Sequence, residues 1–194
     1  MPAREVRKLG DPVLRRVAAV VSPEQLASVE TQALIDDLID TVHAAHGAGI
    51  AAPQVGAPVR IAVVHVRDNP RYPYKPNYPL TVFVNPRLTL LGEPGRDDER
   101  IFEGCLSVPD LRGEVVRRMH VRCDALDRHG APFSVEVRGL TAGTFQHELD
   151  HLDGRLFVDR VTDPSTLTTW ANFDLYHREA FVRRAADIVA RWGG

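Results

Sequence analysis

No run of apolar residues in this sequence approaches the ~20 that a membrane span requires, and no membrane association is expected. Charge is nearly balanced, at a net −2 over 194 residues. That leaves no electrostatic footprint for a nucleic acid, and no nucleic-acid-binding motif is present. The opening residues, MPAREVRKLGDP, lack the apolar core of a secretory signal, so a cytoplasmic location is expected. Internal repeats and low-complexity tracts are absent as well. Cysteine is scarce: Cys105 and Cys123 are the only two. Cys123 lies in an alternating stretch and reads as packed core. A disulfide with Cys105 is not expected, because a reducing cytosol keeps thiols free. The length suffices for a sizeable core, and a single catalytic domain over residues 1–194 is expected.

Local signals divide the chain into helices and strands. Ser22, Pro23 and Gln25 form a helix start, with Ser22 as cap and Gln25 completing a capping box. Leu34, Ile35, Leu38, Ile39 and Val42 then recur at helical spacing. Residues 60–66 and 80–84 are rich in β-branched and aromatic side chains and read as strands. Between them, residues 69–79 hold four prolines and three tyrosines and read as a surface loop. Residues 92–100 read as a second polar loop. Residues 115–116, 121–126 and 133–137 read as an antiparallel set. Asp127 to Gly130 is a hairpin turn that exposes His129. Asp163-Pro164-Ser165 breaks the chain, and a C-terminal helix is expected over 173–191. Its apolar positions include Phe173, Tyr176, Ala180, Phe181, Ile188 and Val189. The expected class is α+β, with antiparallel or mixed sheets surrounding a central helix over 140–152.

That central helix carries the chemistry. His147-Glu148-x-x-His151 is an HExxH pattern, within QHELDH at 146–151. Residues four apart share a helix face, so both imidazoles can bind one metal ion. Glu148 can act as general base toward a water there. Leu140, Phe145, Leu149 and Leu152 surround the motif, so the segment reads as core. Burying His, Glu and Asp is costly unless something pairs with them, and a metal is one solution. Gly139 and Gly154 bracket the helix. Cys105, in EGCLS at 103–107, is the candidate third ligand. Two imidazoles, one thiolate and one open position make a catalytic centre, because a structural site is closed by a fourth protein ligand.

Other HExxH readings take the third ligand from downstream. One group of zinc endopeptidases reads HExxHxxGxxH, and the chain follows that pattern through Gly154. It then places Phe157, which cannot bind metal, at the last position. A second group uses a Glu on another helix. Glu179 could fill that place, with His177 beside it, although a solvated helix face is the plainer reading. A non-catalytic metal-binding module is the remaining alternative, and it requires Glu148 to be structural. Gly47-x-Gly49-x-x-Ala52 also fits a loose dinucleotide fingerprint. That fingerprint must follow a strand and open a helix, whereas here it follows a helix and runs into Pro53. Its glycines read better as backbone that lets a peptide approach closely.

Three blocks together resemble the peptide deformylases, metallo-hydrolases that remove the formyl group from the N-terminal methionine of new proteins. They are GAGIAAPQ at 47–54, against a family pattern GxGLAAxQ, EGCLS at 103–107 and QHELDH at 146–151. Their order and spacing match, with Ile50 standing where the family has Leu. The resemblance implies that Cys105, His147 and His151 hold the metal and that Glu148 is the acid/base. It implies that Gln54 and the backbone N–H of Leu106 stabilise an oxyanion. It also brings Ala48, Gly49, Ile101, Gly104, Leu140, Gly143 and Thr144 to the substrate. The family's usual metal is Fe(II), and Zn, Ni or Co can occupy the same site. The implied substrates are N-formylmethionyl peptides and nascent chains, with ribosome association as a further expectation. Asp150 or a backbone carbonyl is expected to orient a ligand imidazole. Glu103 is expected to pair with Arg117. Gly143 stands where the family often has a larger apolar residue, so a roomier methionine pocket is expected, tolerant of bulkier first side chains.

Overall fold

A computed structural model describes residues 3–193. The first helices are α1 (Pro23–Leu26) and α2 (Val29–Ala44). The expected capping box is formed: Gln25 N–H donates to Ser22 Oγ, and the Gln25 side chain accepts from Ser22 N–H. The helix it starts lasts one turn. Ser28 then caps a second start, and α2 carries Leu34, Ile35, Leu38 and Val42 into the core. The glycine block that follows is a short strand, β1 (Gly49–Ala51), leading into a 3-10 turn at Ala52–Val55.

Six longer strands follow: β2 (Ile61–Val66), β3 (Tyr78–Leu90), β4 (Asp98–Cys105), β5 (Val108–Arg118), β6 (His120–Leu126) and β7 (Pro132–Arg138). Next come α3 (Gly139–Leu152), the two-residue β8 (Thr168–Thr169), α4 (Trp170–Asn172) and α5 (Arg178–Trp192). Pairing is antiparallel in two sheets, ordered β1-β2-β3-β6-β7 and β4-β5-β8. The class is α+β, as expected. The loop expected over 92–100 ends early, because Asp98, Glu99 and Arg100 pair with Arg118, Arg117 and Val116. His129 is exposed on its hairpin turn, where Asp127 Oδ1 accepts from the His129 and Ala131 N–H groups.

Helix α3 lies between the sheets. Ala142, Phe145, Leu149 and Leu152 join the core of the five-stranded sheet with Val64, Phe83, Val121 and Cys123. Leu140 joins the opposite cluster, with Ile101, Val115 and the α5 residues Phe181, Ala185 and Ile188. Every residue of α3 is buried except His147, which is half-buried. A helix buried on all sides is ordinarily apolar all round. This one carries Thr, Gln, His, Glu and Asp, and each must find a partner away from water. Those partners build the site.

The C-terminal helix departs from its expected face. A π turn at Phe173–His177 precedes α5 and shifts the helical register. Phe173, Phe181, Ala185 and Ile188 are buried, while Tyr176 and Ala180 face solvent.

Candidate active site

Cys105 is the last residue of β4, where the register shifts between Gly104 and Cys105. Its Sγ accepts from Ser107 N–H at 3.4 Å and from Gln54 Nε2 at 3.6 Å. His151 Nε2 lies 3.3 Å away. Cys105, His147 and His151 each offer a ligand atom within 4.8 Å of the others, a cluster that could hold a metal ion. Burial opposes charge on both Cys105 and His147. Even so, His151 and His147 hold the Cys105 thiol well below its usual pKa. Glu103 and the Cys105 sulfur hold the His147 imidazole well above its own. The thiolate is the form that binds metal.

The orientation of His147 comes from Glu103, whose Oε2 accepts from Nδ1 at 2.8 Å and leaves Nε2 for a ligand. Glu103 is in turn held by Arg117, through Nε to Oε1 at 2.8 Å and Nη2 to Oε2 at 3.0 Å. Arg117 Nη1 donates to Asp150 Oδ2 at 2.7 Å, and Arg160 Nη2 donates to Asp150 Oδ1 at 2.5 Å. Glu103, Arg117 and Asp150 are all buried. Burial alone would raise the Glu103 pKa, but Arg117 and His147 carry it below the usual carboxylate value. The expected Glu103–Arg117 pair is therefore present. The expectation for Asp150 is corrected: its carboxylate is occupied by two arginines, and Glu103 holds the imidazole instead.

Glu148 lies against the glycine block. A Cβ at Gly49 would come within 2.7 Å of its carboxyl carbon and Oε1. Burial raises the Glu148 pKa against the opposing charges of His147 and His151. Glu148 Oε2 and His151 Nδ1 are buried atoms with no hydrogen-bond partner. Gln54 Oε1 accepts from Ala51 N–H at 2.8 Å, and Nε2 donates to Ser107 Oγ at 3.1 Å as well as to Cys105. A thiolate, two imidazoles and an unpaired carboxylate oxygen fit a metal ion with a water beside it.

Ala48, Gly49, Ile101, Gly104, Leu140, Gly143 and Thr144 line one cavity with Gln54, Cys105, Leu106, His147 and Glu148. His151 lies outside that lining. Ile101 Cδ1 lies 2.8 Å from where a Cβ of Gly143 would stand, so the Ile101 side chain takes up space beside the glycine. The connection over 69–79 also differs from the surface loop expected. Buried Asn69 donates to His46 O at 3.0 Å and Gly47 O at 2.9 Å, tying the loop to the glycine block. Tyr72, Tyr74 and Lys75 then enter the cavity lining. Tyr72 packs against Trp170 with ring centroids 6.0 Å apart, and Tyr74 against Phe181 at 5.0 Å. Those partners are distant in sequence, so no local pattern announced them. Among the described residues, neither downstream pattern supplies a ligand: Phe157 stacks on His147, and His177 and Glu179 are exposed, the latter paired with Arg183.

Fold and donor set together define an HExxH metallo-hydrolase with an upstream cysteine. The polypeptide deformylase family model matches residues 3–166, and the chain belongs to that family, whose members are metal-dependent. It is 45% identical over 172 residues to peptide deformylase 1 of Prochlorococcus marinus, covering 86% of this chain and 84% of that one. The Met-Ala-Ser-bound class I type b peptide deformylase from Acinetobacter baumannii superposes with a TM-score of 0.76. It is 40% identical, over 82% of this chain and 98% of that one. The peptide deformylase from Thermotoga maritima gives a TM-score of 0.72 at 31% identity, over 84% of this chain and 100% of that one. Among the described residues, no helix is long and apolar enough to cross a membrane.

Two outcomes follow from this geometry. Gly49→Ala forces Glu148 aside, and formate release should fall about 10²-fold with metal content kept; an unchanged rate would show that the contact is not limiting. Burial lowers the Lys75 pKa from 10.5 to about 8. The unfolded chain therefore binds the extra proton between those values, and stability contributed at this position rises with pH across that window. Urea midpoints measured from pH 8 to 10.5 should rise for the native protein relative to Lys75→Met. Parallel curves would contradict the burial of this ammonium.

Proposed function

We propose that the protein removes the formyl group from the N-terminal formyl-methionine of nascent polypeptides, yielding formate and a free amine. Cys105, His147 and His151 would hold the metal, with Fe(II) as the working ion and Zn, Ni or Co able to replace it. When bound, the metal polarises the formyl carbonyl and brings the pKa of a water toward ~7. Glu148 takes the proton of the attacking water and later returns it to the leaving nitrogen. Its raised pKa suits both tasks, since a group that must accept and donate works best near the ambient pH. Gln54 Nε2 and the Leu106 N–H donate to the oxyanion that develops on the formyl carbon. Donors of this kind contribute about 10²–10³ in rate. A place of work in the cytoplasm at the ribosome belongs to the same reading, because formylated chains emerge there.

The observation that carries this reading is the unpartnered Glu148 oxygen beside the thiolate and imidazoles. A purely structural metal site has no use for it. The experiment is formate release from formyl-Met-Ala-Ser by protein reconstituted anaerobically with Fe(II). Glu148→Gln should bind metal as the native chain does and release no formate. Turnover retained in Glu148→Gln would contradict the acid/base assignment.

A further inference from the structure

The cavity beside Glu148 is walled by carbon at Ala48, Ile101, Leu140 and Gly143. Lys75 interrupts that wall. It arrives on the 69–79 connection, and its Nζ donates to Thr144 Oγ1 at 2.8 Å. Thr144 is itself fixed, because its hydroxyl donates to Leu140 O one turn back at 3.2 Å. The Tyr72 ring lies 5.1 Å from the ammonium and supports the cation from another side. An ammonium has three N–H donors, and Thr144 is the one hydrogen-bond partner of the Lys75 Nζ among the described residues. Two donors therefore remain beside that carbon wall.

A guest side chain meets those donors when it displaces water. A wholly apolar guest leaves them unpaired, which is the costly case. A carboxylate guest would face Glu103, Glu148 and the Cys105 thiolate, all in or beside the same cavity. A neutral acceptor avoids both penalties. The thioether of methionine is a weak acceptor, its sulfoxide a strong one on the same stem, and norleucine has none. We propose that Lys75 is a specificity-determining residue of the first-side-chain pocket, selecting formyl peptides whose first residue ends in a neutral hydrogen-bond acceptor. Methionine sulfoxide is the member of that class that best fits the pocket's chemistry. This rests on the deformylase reading of the site and names its substrate preference.

The test is the ratio of kcat/KM for formyl-methionine-sulfoxide-Ala-Ser over formyl-norleucine-Ala-Ser. Both are measured on one preparation, so the folded and metal-loaded fraction cancels. The native ratio should exceed one, fall about tenfold in Lys75→Met and persist in Lys75→Arg, as loss of a hydrogen bond from a charged donor requires. An equal ratio in native and Lys75→Met overturns the proposal. A joint rise for both substrates in Lys75→Met also overturns it, because Lys75 would then be only a plug. Should Lys75→Met fail to fold, Thr144→Val unseats the ammonium and reads the same ratio with the same outcomes. A native protein that turns over no formyl peptide would sink the deformylase reading and this one with it. Turnover of formyl-Met-Ala-Ser with an unchanged ratio sinks the Lys75 assignment alone.

Discussion

One buried arginine links the helix of the site to the sheet beside it. Arg117 on β5 donates to Glu103 on β4 and to Asp150 on α3. Glu103 then accepts from His147, also on α3. Taking these charges out of water costs several kcal/mol per ion before their attraction is counted, and apolar side chains of similar size would hold helix to sheet as well. They could not orient an imidazole. The network is better understood as the device that sets the position of His147 than as a source of stability.

The rest of the site follows from a polar helix placed where an apolar one would be cheaper. Gln146 is satisfied by the Arg118 backbone and Thr144 by Lys75 and Leu140. Asp150 is satisfied by Arg117 and Arg160. Among the polar side chains of α3, unpaired buried atoms occur at Glu148 and His151. A protein interior tolerates few such atoms, and they concentrate where a ligand or water belongs. Gly49 completes the arrangement by leaving room for the Glu148 carboxyl where any side chain would displace it.

Much of this was legible in the sequence, for identifiable reasons. The spacing of His147 and His151 predicts a shared helix face, and apolar residues around them predict its burial. The capping box at Ser22 and the hairpin turn at Asp127 are local chemistry, and both formed. Of the long-range pairings, Glu103 with Arg117 was anticipated from the family resemblance, and the rest were not. Asp150 sits one residue before His151 and seemed its natural support, yet its partners are Arg117 on β5 and Arg160. The π turn at 173–177 shifts the C-terminal face, and nothing in the helical periodicity signals it. The 69–79 segment looked like surface because its four prolines mark turns. Tyr72 and Tyr74 instead reach Trp170 and Phe181, far away in the sequence. Gly143 suggested space that Ile101 fills.

Glu103, fixed by Arg117, sets the orientation of His147. Calorimetric titration of metal-free Glu103→Gln with Ni(II), beside the native chain, tests it most directly. Substitutions of this kind weaken metal affinity by about 10–100-fold, and a loss in that range is the predicted result. A folded Glu103→Gln that binds Ni(II) as tightly as the native protein would contradict the account.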